Sequence, residues 1–351
     1  TMPNRANLGE VTTSVAVIGA GQAGLSATFH LARRGIDHVT VDASPCAGGA
    51  WLQRWDTLTV DRLNRIFGLP LFDAPTLDPE QKASVAVPAY FADFERRMGL
   101  NIARPVRVLT VSKSGEEFLL DTTAGRIRAR GVINATGTWE NPLRTDYPGQ
   151  GEFQGRQIHT HDYSGPEEFA SQRVAIVGGG ISALQHLEEI SRVAETRWYT
   201  RRQPEFVEGF DGRDVEERVA ESVARGEPAR SVVSYTGLYA DAPYIVAARE
   251  RGVLKRREMF RSITADGVIE ADGSLTKCDA IVWATGFRPS LSHLAGLGVV
   301  NERGGVAVDG TQVSGEPMLH LIGFGPSQST VGANRAGREA VVKLQRALRK
   351  R

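Results

Sequence analysis

The chain has 351 residues, 41% of them hydrophobic, and 42 Lys and Arg stand against 41 Asp and Glu for a net charge of +1. That length gives one large or two ordinary domains with full cores, and the balanced charge excludes a general attraction to nucleic acid or an anionic membrane. Cys46 and Cys278 form no CxxC or CxxxxC pair, so neither a disulfide framework nor a zinc site is expected; with no apolar run of spanning length and no leader-like N-terminus, the expectation is a cytoplasmic protein away from membranes.

The first readable unit is "VAVIGAGQAGLSATFHLARRGIDHVTVDA", residues 15–43. A β-branched run leads into GxGxxG at Gly19, Gly21 and Gly24, a helical pattern follows, and a second β run ends at Asp42. Strand, Gly-rich turn, helix and strand in this order make a dinucleotide-binding unit. The first glycine makes the turn, the second admits pyrophosphate to the backbone, and the third lets the helix pack on the strand. The helix N-terminus then offers free N–H groups to phosphate.

Next comes "SPCAGGAWLQRWDTLTV", whose Gly48–Gly49 pair lets backbone approach a ligand just before Trp51. Residues 56–80 read as loop, and "VPAYFADFERRMGL" (87–100) as a short helix. Residues 104–137 alternate apolar and polar between turn signals, which predicts a β-meander and a returning strand ending at Ala135-Thr136-Gly137.

A second unit, "VAIVGGGISALQHLEEISRVAETRWYTRR" (174–202), repeats the first. Gly178, Gly180 and Ala183 take the three small positions. The offset from Gly19 to Gly178 is 159, and the same offset from Asp42 reaches Arg201. A carboxylate at that position accepts hydrogen bonds from ribose hydroxyls and repels a 2′-phosphate; a guanidinium grips the phosphate. The first unit is therefore expected to hold FAD or another ribose-hydroxyl cofactor, and the second NADPH. Whether Arg201 or Arg202 makes the main contact stays open. Two such units indicate a flavin–nicotinamide oxidoreductase.

Two helical patterns, "DVEERVAESVARG" and "DAPYIVAARERG", fall within 211–260 and are expected at the substrate mouth. "CDAIVWATGFRP" ends in a second ATG, Ala284-Thr285-Gly286, and the chain closes with a strand, a Gly-rich loop from Gly323 and a long helix from about Val331. The expected fold is α/β with two Rossmann-like domains, the NADPH domain (161–281) inserted in an FAD domain (10–160 and 282–351). Seven His residues are scattered without ligand spacing, and no metal is expected.

The segment "FQGRQIHTHDY" places Phe153, Gly155, His159 and Tyr163 in the pattern FxGxxxHxxxY. With GxGxxG, GGxW, ATG, GxGxxA and the second ATG in order, nearly the whole chain resembles the class B flavin monooxygenases, in particular the N-/S-oxygenating and YUCCA-type branches, and is related to the Baeyer–Villiger enzymes, whose signature usually has Trp where Tyr163 stands. The resemblance implies FAD contacts at Gly19, Gly21, Gln22, Ala23, Gly24, Asp42, Gly49 and Trp51. Backbone around Val106, the Thr136–Gly137 turn and the loop from Gly323 to Val331 would complete that site. It implies NADP contacts at Gly178, Gly180, Ser182, Ala183, Arg201, Arg202, Thr285 and Gly286. His159 and Tyr163 are the candidate catalytic residues on a segment that couples NADP to flavin; the other reading of His159 is that it satisfies backbone groups at a domain junction. Asn64 is a third candidate, and Pro326 stands where some relatives place Asp.

The implied reaction is NADPH- and dioxygen-dependent oxygenation of a small sulfide, amine or ketone through a flavin hydroperoxide. The alternative is a flavin reductase passing electrons to an acceptor such as ferredoxin. A disulfide reductase is disfavoured because two thiols cannot be assigned to one flavin, and a non-catalytic redox sensor because the second fingerprint is complete. A homodimer is possible on the same resemblance.

Overall fold

The structure is a computed structural model that describes residues 7–63, 68–73, 76–208, 212–228, 237–324 and 330–350. Its strands open with β1 (Gly9–Ile18), β2 (His38–Val41), β3 (Ile102–Ala103), β4 (Val108–Ser114), β5 (Glu117–Thr122) and β6 (Gly125–Asn134). Next come β7 (Arg156–His159), β8 (Arg173–Val177), β9 (Glu195–Thr200), the short pair β10 (Phe206–Val207) and β11 (Leu238–Tyr239), and β12 (Arg256–Glu258). A meander of β13 (Ser262–Ile263), β14 (Gly267–Ile269) and β15 (Leu275–Lys277) leads to β16 (Ala280–Trp283). The last strands are β17 (Val308–Asp309), β18 (Gln312–Val313) and β19 (Glu316–Leu321). The helices are α1 (Gln22–Arg33), α2 (Ala83–Met98), α3 (Ile181–Ile190), α4 (Gly212–Ala224), α5 (Pro243–Glu250) and α6 (Thr330–Arg349).

Two sheets dominate. The first runs β17-β18-β19-β6-β1-β2-β3, with β4 and β5 attached to β6 as the expected meander. Its centre is parallel, and Val15–Ile18 are buried without alternation, as a strand covered on both faces requires. β6 shows both regimes: Arg126 to Arg130 alternate, then Gly131 to Asn134 are all buried where the strand enters the sheet. The second sheet, β12-β9-β8-β16-β7, is parallel throughout.

Each sheet has its own core. Val15, Val17, Ile133 and Leu319 pack with Ala340, Val341 and Leu344 of α6. Val174, Ile176 and Trp198 pack with Leu184 and Leu187 of α3 and Ile245 of α5. The helices α4 and α5 therefore part company, since Val223 of α4 joins the first core. α6 lies so close to α1 that a Cβ on Gly337 would sit 2.5 Å from Ser26 Oγ.

α2 begins four residues before the start expected from its pattern. Ala83 N–H donates to Leu58 O at 2.8 Å, and Lys82 bridges Thr59, so the preceding loop fixes the first turn. Pro88 consequently sits inside the helix rather than at its start. Gly99, left-handed at φ 64°, ends it.

Candidate functional site

The first Gly-rich turn is shaped by contacts that exclude side chains. A Cβ on Gly19 (φ +98°) would meet Ala135 O at 2.3 Å, and one on Gly24 would meet Gly19 O at 1.8 Å. Gly21 caps α1 without any side-chain hydrogen bond, so the first-turn N–H groups face outward. Gly49 closes over this turn; its Cβ would lie 3.0 Å from Gly21 Cα. Gln22 is buried, and Gly323 (φ +64°) brings the loop after β19 beside Ala23, so that a Cβ on Gly323 would lie 3.6 Å from Ala23 Cβ. These features fit a phosphate-bearing cofactor laid across the start of α1.

Asp42 follows β2 and is 7% exposed. Its Oδ2 accepts from Arg104 Nε at 2.7 Å, and Arg104 is held bidentately by Glu95 at 2.6 and 2.8 Å. No other described side chain donates to Asp42, so its second oxygen is available to a ribose hydroxyl. Val106 is buried and donates its N–H to Asp42 O at 2.8 Å. That ties the strand end to the segment expected beside the adenosine.

The second unit repeats the cradle. A Cβ on Gly178 (φ +141°) would meet Ala284 O at 2.1 Å, and Ala183, fully buried, packs against the same turn. Gly180 caps α3 with no side-chain bond and open space around it, and Ser182 is half-buried in the first turn.

The strand register corrects one equivalence. Gly19 N–H donates to Val41 O, whereas Gly178 N–H donates to Tyr199 O. Val41 therefore matches Tyr199, and the slot of Asp42 is filled by Thr200, not Arg201. A constant offset of 159 presumed equal connections between helix and second strand; the second unit is one residue shorter there. Arg201 and Arg202 come immediately after the slot, both exposed. Arg256 reaches the same place from β12, donating to Thr200 Oγ1 at 2.7 Å and Thr200 O at 3.0 Å. No carboxylate pairs with any of these three arginines among the described residues. A neutral residue in the acidic slot beside unpaired arginines fits a 2′-phosphate. Arg256 was not legible from the second fingerprint, because it arrives from a neighbouring strand.

The two ATG turns meet. Thr136 Oγ1 donates to Ser290 O at 2.7 Å, Ser290 N–H donates to Gly137 O, and Thr285 Oγ1 donates to Leu143 O at 2.6 Å. Pro142 and Phe287 form a bridge. His159 pins this double crossing. Its Nδ1 accepts from His161 N–H at 3.0 Å, which leaves Nε2–H to donate to Gly286 O at 3.1 Å. The ring is 1% exposed, and burial lowers its pKa to about 4, so it is neutral with both nitrogens engaged.

Tyr163 lies deeper. Its hydroxyl donates to Glu189 Oε1, which also accepts from Thr57 Oγ1, while Arg62 holds Oε2 at 3.0 Å. Burial raises the pKa of both Tyr163 and Glu189. The ring packs on Trp55, His186 and Phe169. Tyr163 thus joins the loop after Trp51 to α3. Asn64, Gly325, Pro326 and the side chain of Val331 lie outside the described residues; α6 itself begins at Thr330, next to the expected start.

A stack not foreseen from the motifs lines the junction. Trp139 packs on Phe287 (5.0 Å) and His161 (5.2 Å), and its Nε1 donates to Gln53 Oε1 at 2.7 Å. The Arg54 guanidinium lies 4.3 Å from the Trp139 ring and 5.4 Å from Trp51. Cys46 is exposed and Cys278 buried, both unbonded. Among the described residues no cluster of His, Cys, Asp and Glu could hold a metal, and no helix is long and apolar enough to cross a membrane.

Two glycine cradles, each on the parallel strands of its own sheet and joined by a clamped double crossing, define a flavoprotein of the two-dinucleotide kind. The family model described as pyridine nucleotide-disulphide oxidoreductase matches residues 16–224, more than half of the chain. A flavin-containing monooxygenase from Stenotrophomonas maltophilia is 36% identical over 96% of this chain and 99% of its own, with a TM-score of 0.85. The indole-3-pyruvate monooxygenase YUCCA4 of Oryza sativa subsp. japonica is 23% identical over 93% of this chain and 87% of its own length. A bacillithiol disulfide reductase from Bacillus cereus, at 19% identity and a TM-score of 0.72, shares the fold. The chain belongs to the pyridine nucleotide-disulphide oxidoreductase family and, within it, to the flavin monooxygenases. It is a flavin-dependent oxidoreductase that uses FAD and NADPH.

Proposed function

We propose that this protein uses NADPH and dioxygen to oxygenate a small soft nucleophile, a sulfide or an amine, or a ketone. The observation that carries the reading is the clamped junction, where both glycine cradles, both ATG turns and His159 come together. FAD, when bound, supplies the electron and oxygen chemistry. The residues bind, orient and exclude water. The first turn of α1 would hold the FAD pyrophosphate, with Asp42 on its ribose. The first turn of α3 would hold the NADPH pyrophosphate, with Arg201 and Arg202 on the 2′-phosphate. Arg256 would brace that strand end.

His159 acts as a positioning residue in this reading. It is neutral and doubly bonded, so it carries no proton to the reaction; it fixes Gly286, and through it the second ATG turn, against the first. Tyr163 fixes the loop after Trp51 to α3 in the same way. The division into an FAD unit with an inserted NADPH unit belongs to this proposal. The sheet pairings support it and draw the insertion from β7 to β16, a few residues wider than 161–281.

The test is product analysis with FAD-loaded protein, NADPH, and a panel of sulfides, amines and ketones. An oxygenated product formed in step with NADPH consumption supports the reading. NADPH oxidation that yields only hydrogen peroxide across the panel sinks it.

A further inference from the structure

Among the described residues Arg54 has no counter-ion. Its guanidinium lies over two indole rings, at 4.3 Å from Trp139 and 5.4 Å from Trp51. Its Nε is buried and has no hydrogen-bond partner. Burial lowers its pKa to about 10, which leaves it charged near neutrality, and no neighbouring charge contributes to the shift. The carboxylates on the surrounding segments are committed elsewhere: Asp56 to Lys82, Glu140 to Arg107, and Asp162 to His161 and Arg144. A half-buried arginine whose Nε is closed off without an acceptor is unusual, because the desolvation of such a donor is ordinarily offset by a hydrogen bond. The two indoles offset part of it. They also hold the planar fork in one orientation, which favours a planar bidentate acceptor.

Its position narrows the acceptor. Arg54 follows the short helix Gly49–Gln53 that starts at the glycine pair over α1, and Trp139 follows the first ATG turn and stacks on Phe287 and His161. The guanidinium therefore lies where the two units meet, over the ring that stacks on Phe287 and His161. The cofactor phosphates have their own donors at α1, at α3 and at Arg201 and Arg202. We infer that Arg54 is a specificity-determining residue that receives the carboxylate of an acidic substrate, so that the molecule oxygenated is an aromatic or alkyl acid rather than a neutral sulfide or ketone. Trp51 and Trp139 would flank its apolar part. This rests on the oxygenase reading above and names its substrate class.

The test uses FAD-loaded protein with NADP⁺ present, titrated with 4-(methylthio)benzoate and with its methyl ester, binding being read from the flavin spectrum. The wild type is expected to bind the acid about ten- to a hundred-fold more tightly than the ester, the range of one charged hydrogen-bonded pair. Arg54→Gln should bring the ratio to about one without changing ester affinity, and Arg54→Lys should keep part of it. Thermal melts and FAD content establish that the variants are folded. Equal affinities in the wild type overturn the proposal without need of any variant. So does an acid preference that survives Arg54→Gln, or an unchanged ratio accompanied by a shifted flavin midpoint potential, which would assign Arg54 to the cofactor. Binding is measured apart from turnover, so failure to oxygenate either compound would count against the oxygenase reading and leave the binding result standing.

Discussion

Removing the two free arginines after β9 should turn an NADPH enzyme into one that treats NADPH and NADH alike. The slot that would carry an acid in an NADH site holds Thr200, whose hydroxyl is already bonded to Arg202 O and Arg256 Nε. Nothing there repels a 2′-phosphate. Arg201 and Arg202 are exposed, so each contact with phosphate belongs at the low end for charged hydrogen bonds, about 1–1.5 kcal/mol or close to tenfold. Arg201→Ala combined with Arg202→Ala is thus expected to weaken NADPH binding by about a hundredfold and to change NADH binding less than about twofold. The assay is a Kd titration of each nucleotide by protein fluorescence, with Arg197→Ala as control, since Arg197 pairs with Glu195 on the same strand. The wild-type preference should also shrink with salt. Equal losses for the two nucleotides would refute the assignment, and the register argument with it.

Other expectations follow from the same geometry. Gly24→Ala drives a Cβ to within 1.8 Å of Gly19 O, so the variant should lose FAD, measured as the flavin-to-protein absorbance ratio. Gly180→Ala has open space around it; the melt should stay close to wild type while NADPH affinity drops, and a lost fold would contradict this. Tyr163→Phe strips one donor from the buried Glu189 and should cost about 1–3 kcal/mol, read by calorimetry together with more peroxide per NADPH. The pH profile has a definite sign. Burial lowers His159, His293 and His320 to about 4 from an ordinary value near 6.5. Between those values the unfolded chain binds more protons, so stability is full above about pH 6.5 and declines as pH falls toward 4, by on the order of 1–2 kcal/mol per group by pH 5. Melts that stay flat from pH 7 to 5 would show the histidines are not buried neutral.

What could be read from the chain and what could not divide along physical lines. The glycine fingerprints were legible because at Gly19, Gly24 and Gly178 a backbone approach of about 2 Å admits no other residue. The ATG turns were legible as ends of buried strands. The partners of the functional side chains were not. Arg104 reaches Asp42 from 62 residues away, and Gln53 meets Trp139 across 86; such pairs exist only once the sheet is built. Thr200 was missed because the offset was carried through a connection that is one residue shorter in the second unit. Arg54 sat unremarked beside the glycine pair, since a lone arginine in a loop carries no pattern until its missing counter-ion is seen.

The most direct test of the central claim follows the oxygen atom. FAD-loaded protein would be supplied with NADPH, a sulfide that it turns over and ¹⁸O₂, and the product weighed by mass spectrometry. One labelled oxygen per product, with about one NADPH consumed for each, is the predicted result. Product that carries oxygen from water, or NADPH consumption that returns every labelled atom as hydrogen peroxide, would contradict it.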